Sequence, residues 1–327
     1  MKVLVTGGTG FLGRHLVERL ALEGEEVWVL ERSGQSVAGL RGLGVRFVPG
    51  DVRQWSSLRR AVEDKDVIFH CAGKVASSGR WVDFLEVNVL GTERLIQAAM
   101  AAGVRRFVHV SSIGVYGARA EGSVVAEDDG YDDNAARGGY TRSKIMADQI
   151  AFWYAQARSA PITVLRPATI YGPGGKNSLV RVGARVGKLN VVFGNGGNVL
   201  PLVYVDNVVD ALLLAARRDE AVGRAYNVVD DERITQREFI RRMGQALGAK
   251  PPTLYLPLPV VRLLAAGADS AKAALRGRRS PQGLFSRIAR SLQGVEYDTS
   301  RAKAELGWKP RIDLESAVKR LKKDTRP

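Results

Sequence analysis

Tyr140 and Lys144 stand four residues apart in the stretch GGYTRSK, residues 138–144. Four residues is about one turn of an α-helix, so both side chains would share a face. A phenol holds its proton until pH ~10, and an ammonium group beside it favours the phenolate. Such a pair could pass a proton to or from a substrate oxygen. It could equally open an ordinary surface helix. With 9 tyrosines and 13 lysines in 327 residues, chance gives this spacing roughly 0.4 times. Of the tyrosines, only Tyr140 finds its lysine.

A second constellation lies at the start of the chain. VLVTGGTGFLG places Gly7, Gly10 and Gly13 after a first apolar run and before a first helical pattern. Glycines there permit a tight turn, let backbone N–H groups approach a pyrophosphate, and let the helix pack close to the strand. This predicts dinucleotide binding. The next strand ends in VWVLERSG. Glu31 would bind the adenosine ribose hydroxyls and repel a 2′-phosphate, which favours NAD. Arg32 after it can stack on adenine or pair with that phosphate, which favours NADP. Asp51 in GDV could accept from the adenine amino group or cap the helix that follows. His70 and Cys71 in HCAG read as packed residues. No His, Cys and carboxylate cluster has metal-ligand spacing, so no metal is expected.

These residues need a frame to hold them. Continuous apolar runs at Lys2–Thr6, Val27–Leu30, Arg46–Val48, Val67–His70, Phe107–Ser111 and Ile162–Arg166 suit parallel strands buried on both faces. Helical patterns near 11–23, 55–63, 81–102 and 140–157 alternate with them. The alternation predicts a doubly wound α/β sheet. After Arg166 the pattern loosens into Pro- and Gly-rich loops, a helix near 206–217, a strand near 225–229 and a last helix over 313–323. That portion reads as a smaller domain over the edge of the sheet.

Composition excludes several classes. The net charge is +15, but residues 1–170 carry 21 Lys+Arg against 19 Asp+Glu, and residues 171–327 carry 28 against 15. The basic half is either a solvated surface or a face that meets something anionic. It has no nucleic-acid motif. No apolar run reaches the roughly 20 residues of a membrane span, and MKVLVTGG has no signal-peptide layout. The single cysteine fits a reducing, cytoplasmic compartment.

Taken in order, TGGTGFLG, GDV, HCAG, NVLGTERLIQAA, VSSIGVYG, YTRSK, LRPATIYGPG, YVDNVVDALLLA and ELGWKP resemble the extended short-chain dehydrogenase/reductase family over nearly the whole chain. The resemblance implies an α/β fold: a Rossmann doubly wound parallel sheet over 1–172 and 201–230, and a smaller, mostly C-terminal substrate-binding domain over 173–200 and 231–327. It implies Tyr140 as general acid/base for hydride transfer at nicotinamide C4. Lys144 would lower the phenol pKa and hold the nicotinamide ribose, and Ser112 would hydrogen-bond the reacting oxygen. Strand alternation turns the neighbouring Ser111 the other way. Cofactor contacts would come from Gly7, Gly10, Phe11, Leu12, Gly13, Glu31, Arg32, Asp51, Val52, Cys71, Ala72, Gly73, Asn88, Tyr140, Lys144, Pro167, Thr169 and Ile170. The cofactor would be NAD rather than NADP. A homodimer through the Tyr140 helix is implied, with Ala147, Ile150, Ala151 and Trp153 on its face.

Departures from family patterns weigh the branches. SSIGVYG carries no acid, against a dehydratase. GNGGNVLPL has Leu200 and Pro201 where sugar-nucleotide epimerases carry an Arg-Asp pair for the substrate diphosphate, although Arg181 or Arg185 could substitute. LPLVYVDNVVDALLLAARR resembles the 3β-hydroxysteroid dehydrogenase-like branch. The expected activity is therefore alcohol–ketone oxidoreduction on a small hydrophobic molecule, sterol-like or a β-hydroxy acid. The alternative is 4-epimerisation of a nucleotide sugar. Residues 254–292 place Val260, Val261, Leu263, Leu264, Ala268, Ala271 and Leu275 at helical spacing before a basic cluster. That helix would either pack on the substrate domain or lie on an anionic membrane surface.

Overall fold

The computed structural model describes residues 1–32, 37–76, 79–132, 138–175, 184–186, 189–246, 248, 252–276 and 294–324. The first half runs β1 (Lys2–Thr6), α1 (Phe11–Leu22), β2 (Glu26–Glu31), β3 (Arg46–Pro49), α2 (Trp55–Val62) and β4 (Val67–His70). A longer helical passage follows as α3 (Trp81–Phe84), a π-helical turn (Leu85–Leu90) and α4 (Gly91–Ala101). Then come β5 (Arg106–Val110), a 3-10 turn (Ile113–Tyr116), β6 (Val124–Val125), α5 (Gly139–Ala157), β7 (Ile162–Pro167) and β8 (Thr169–Tyr171). The second half contains β9 (Ala184–Val186), β10 (Leu189–Phe193), β11 (Val199–Leu200), β12 (Leu202–Tyr204), α6 (Val205–Arg217) and β13 (Ala225–Val228). It ends with β14 (Ile234–Thr235), α7 (Gln236–Ala246), β15 (Thr253–Leu256), α8 (Leu258–Arg276), β16 (Glu296–Tyr297), α9 (Ser300–Leu306) and α10 (Leu314–Asp324).

Seven strands form one sheet in the order β13-β7-β5-β4-β1-β2-β3, and every neighbouring pair is parallel. The apolar runs explain this. In β1, Val3 and Val5 join a core with Leu16 and Val17 of α1 and Val208 and Leu212 of α6. Leu4 points the other way, into a core with Leu58 of α2, Leu95 of α4 and Ala151 of α5. Both faces are covered, so alternation of apolar with polar residues is absent, as the sequence predicts. The strand order reverses between β1 and β4, and the carboxyl ends at this switch point open a crevice for a ligand.

The C-terminal segment is fastened by one asparagine. Asn207 of α6 accepts from the backbone N–H groups of Arg311 and Ile312, both at 3.0 Å. Its carbonyl accepts from Trp308 Nε1 at 2.8 Å, and that indole is wholly buried. Gly307, at φ +69°, ends α9 in the left-handed region and turns Trp308 inward. The YVDNVVD and ELGWKP motifs, a hundred residues apart, are thus two halves of one contact.

Three expectations shift. The fifth strand lies one residue earlier, at Arg106–Val110, so Ser111 begins the loop. The helix expected over 81–102 carries a π-helical turn around Asn88. Ala147 and Ala151, expected on a dimer face, are wholly buried in the chain's own core, while Trp153 is 53% exposed. The small alanines let α5 sit close against β7 and α4, so they cannot also face a partner.

Candidate active site

The glycine loop forms as its composition requires. Gly7 has φ +71°, and a Cβ there would lie 2.6 Å from the Ala72 nitrogen. A Cβ on Gly13 would lie 2.1 Å from the Gly7 carbonyl oxygen. Gly10 opens α1 without a side-chain cap, so the first N–H groups of the helix face the crevice and suit an anion. The Phe11 ring packs edge-on to His15 at 5.6 Å, and Leu12 packs against the core; both belong to the first turn of α1. The crevice is a cleft of about 760 Å³, and Gly7, Gly10, Arg32, Asp51, Val52, Cys71, Ala72 and Gly73 all line it. Its size and glycine cradle fit a dinucleotide.

The adenosine end departs from the simple reading. Arg32 lines the cleft, and Glu31 just before it ends β2. Asp51 does not cap α2, whose N-cap is Gln54. Its carboxylate instead accepts from the Arg53 backbone at 2.9 Å and from the Arg53 guanidinium at 3.0 and 2.6 Å. These hydrogen bonds hold its pKa below the usual carboxylate range. Arg53 and Lys74 also line the cleft. Neither was among the sequence expectations, and the signal available was a cation directly after GDV and one directly after HCAG.

His70 is buried between the Thr6 hydroxyl at 2.7 Å and the Thr92 hydroxyl at 2.9 Å. Burial pushes its pKa down to about 3, so it is a neutral, packed residue. Burial likewise pushes the Cys71 thiol up to about 12, which makes it inert near neutrality.

At the inner end of the cleft Gly73, Asn88 and Lys144 come together. A Cβ on Gly73 would lie 3.4 Å from Asn88 Oδ1 and 3.7 Å from Lys144 Nζ. The Lys144 side chain is buried, and its ammonium donates to the Val110 carbonyl at 2.7 Å. Burial pushes its pKa down to about 8, against the opposing pull of Asp148 and Cys71. Asn88, in the π-helical turn, accepts from the Lys74 N–H at 2.6 Å and donates to the Ser143 hydroxyl at 2.8 Å. Ser143 donates on to the Tyr140 carbonyl at 2.7 Å. Asn88 therefore ties the loop after β4 to the first turn of α5. A π-bulge at such a point is a common mark of function. The adjacent serines separate: Ser111 is buried, whereas Ser112 is partly open and its Oγ accepts from the Gly114 N–H at 3.1 Å. Pro167 closes β7, and Thr169 and Ile170 lie in β8, paired to β12.

Comparison with known proteins agrees with this architecture. A model described as the NAD dependent epimerase/dehydratase family matches residues 3–228. The chain belongs to this family. It is an NAD-dependent enzyme of the short-chain dehydrogenase/reductase type. The chain is 30% identical to the 2-alkyl-3-oxoalkanoate reductase of Stenotrophomonas maltophilia (strain K279a), covering 98% of each chain. It is 29% identical to the sterol-4-alpha-carboxylate 3-dehydrogenase, decarboxylating, of Homo sapiens, covering 97% of this chain and 86% of the relative. The solved structure of MoeE5 in complex with UDP-glucose and NAD matches with a TM-score of 0.75 and 26% identity, over 100% of this chain and 99% of that one.

Away from the cleft, Leu200 pairs with Ile234 across β11 and β14 and packs beside Tyr171, Leu202 and Phe239. A second groove of about 830 Å³ is lined by Phe193, Val199, Pro257, Leu258 and Val295 among others. Arg233, the one cation lining it among the described residues, is bridged to Glu296 at 2.6 Å. In α8, Val260, Leu263 and Leu264 are exposed and Val261 is buried. The side chains of Arg181, Arg185, Ala268, Ala271 and Leu275, and the basic cluster after α8, lie outside the described residues. No helix among the described residues is long and apolar enough to cross a membrane, and no group there could hold a metal.

Proposed function

We propose that this chain interconverts a secondary alcohol and a ketone on a hydrophobic, lipid-like molecule of the sterol or β-hydroxy acid type. The observation that carries the substrate class is the surroundings of GNGGNVLPL. Leu200 packs against an apolar cluster, and among the described residues the adjoining groove is lined by one cation, Arg233, which is bridged to Glu296. A diphosphate needs charge-assisted contacts, which are among the strongest polar ones. An apolar skeleton needs none. The reductase and sterol dehydrogenase relatives support the same class.

Bound NAD supplies the hydride acceptor. The chain's own residues do the rest. Tyr140 takes the alcohol proton, Ser112 holds the reacting oxygen, and Lys144 presents an ammonium one turn along α5 that favours the phenolate. Lys144 keeps that charge at neutral pH and loses it as pH rises through about 8. The Asn88–Ser143 contacts hold the start of α5 against the cleft. The dinucleotide lies over residues 1–172 and 201–230, and the substrate is taken by 173–200 and 231–327. The exposed face of α8 is where a lipid or a membrane surface would be met. Trp153 is the centre of a homodimer contact, and the enzyme works in the cytoplasm.

Purified protein should be mixed with NAD and, separately, hydroxysterols, β-hydroxy acids and nucleotide sugars. Growth of the reduced-nicotinamide absorbance with a lipid-like alcohol is the expected result. The second reading, epimerisation, draws on the UDP-glucose and NAD held by MoeE5. It requires an inverted sugar with no net reduced cofactor.

A further inference from the structure

Tyr140, Lys144 and Asp148 fall at successive four-residue steps along α5, on one stripe of the helix. Lys144 and Asp148 are both buried. Asp148 meets Arg166 of β7 through one hydrogen bond, from Nε to Oδ2 at 2.8 Å. The rest of the guanidinium is engaged with neutral acceptors. One terminal nitrogen donates to the Tyr116 hydroxyl and the Glu127 carbonyl, both at 2.8 Å, and the other to the Tyr131 hydroxyl at 3.2 Å. The rings of Tyr116, Tyr131 and Phe152 close around it.

A carboxylate kept only to tie helix to strand would take the two-pronged contact that arginine offers. Here Asp148 Oδ1 has no hydrogen-bond partner. His109 Nε2 stands 4.0 Å from it, and neither ring nitrogen of His109 has a partner. The Ser111 hydroxyl makes no hydrogen bond of normal length and angle, though it lies close enough to favour the charged carboxylate. Burial pushes the Asp148 pKa up, and the Arg166 charge chiefly opposes the rise.

Two histidines and a cysteine that also face Lys144 are neutral near pH 7. Burial and the lysine's own charge hold His70 on β4 and His109 on β5 unprotonated. Burial keeps the Cys71 thiol protonated. Among the described residues, the half-compensated carboxylate is the anion left to balance the ammonium. We infer that Asp148 is a positioning residue for the reaction, holding Lys144 charged one turn from Tyr140 through the field of a carboxylate that Arg166 only half satisfies. This rests on the acid–base roles proposed above. Removing that charge lowers the pH at which Lys144 releases its proton, and the alkaline limb of turnover moves down with it.

The test uses the full chain labelled with carbon-13 at the lysine ε carbon, without added cofactor. The Lys144 resonance is the one missing from Lys144→Met. In Asp148→Asn, which keeps the shape and an acceptor for Arg166, the Lys144 midpoint should fall by about one pH unit or more. Asp148→Glu should restore it towards the wild-type value. If the Asn variant does not fold, Asp148→Ser carries the same test. An unmoved Lys144 midpoint in a neutral variant, whatever its thermal stability, overturns the inference. Tyr140→Phe separates the two levels. Turnover surviving that change sinks the acid–base roles, whereas the lysine midpoint speaks only to Asp148.

Discussion

The buried end of α5 and the open face of α8 are built on opposite terms. Around Lys144 the groups are dry and named: the Asp148–Arg166 pair and two neutral histidines, His70 and His109. Along the described part of α8, leucines and a valine stand in solvent and only Val261 is covered. The first region fixes a proton position to within one side chain. The second fixes almost nothing and can accept surfaces of varied shape. On the function proposed above, the contrast means that reaction and substrate are decided in different places. The chemistry lies under the carboxyl ends of the sheet, where every polar group has few alternatives. On the proposed reading, the choice of molecule lies along α8, where Val260, Leu263 and Leu264 stand exposed.

The largest effect should come from the buried side. Tyr140→Phe is expected to lower kcat by about 10²–10⁴-fold, the range for a positioned acid–base group. Circular dichroism and thermal midpoint should stay unchanged. A fall in both would show a structural role and blur the contrast.

Lys144→Met should separate stability from activity. The native lysine gives up its proton near pH 8, whereas an unfolded one does so near ~10.4. Between these values the unfolded chain binds the extra proton, so this group adds stability as pH rises through the window and costs stability below it. The Met variant should therefore be inactive yet more stable at pH 7, by on the order of 2–3 kcal/mol. Its stability should rise less than that of wild type between pH 8 and 10. Denaturant melts at several pH values give the difference.

Gly13→Ala should cost roughly 1–3 kcal/mol by overpacking, because its Cβ would meet the Gly7 carbonyl at 2.1 Å. NAD binding, followed by quenching of tryptophan fluorescence, should weaken with it. The smallest effect on the fold should come from the open side. Leu263→Glu with Leu264→Glu should leave stability within about 0.5 kcal/mol, since both are exposed. Use of a sterol-like substrate presented in vesicles should fall, while use of a short soluble alcohol should not.

The same contrast governs what the sequence made legible. Strands buried on both faces write themselves as unbroken apolar runs, so β1, β4 and β7 and the glycine loop could be read directly. The lysine one turn after Tyr140 could be read for the same reason, since helical spacing is local. Contacts between distant segments left no such trace. The Arg166 cluster gathers Tyr116, Tyr131 and Glu127 from a loop that has no periodicity of its own. The π-helical turn at Asn88 looks like ordinary helix in one dimension. Asp51 offered two readings, and the carboxylate took a third, clasping the arginine two residues on. The β10–β15 pair was missed because its strands lie about sixty residues apart and flank glycine-rich loops.

Net hydride transfer to NAD from a lipid-like alcohol separates the two readings of the site. Its most direct test is the reduced-nicotinamide absorbance on mixing the purified chain with NAD and a hydroxysterol or β-hydroxy acid, beside UDP-glucose. Absorbance that grows with the lipid-like alcohol, and is lost in Tyr140→Phe, is the predicted result. No reduced cofactor with any alcohol, together with inversion of the sugar in UDP-glucose, would contradict it.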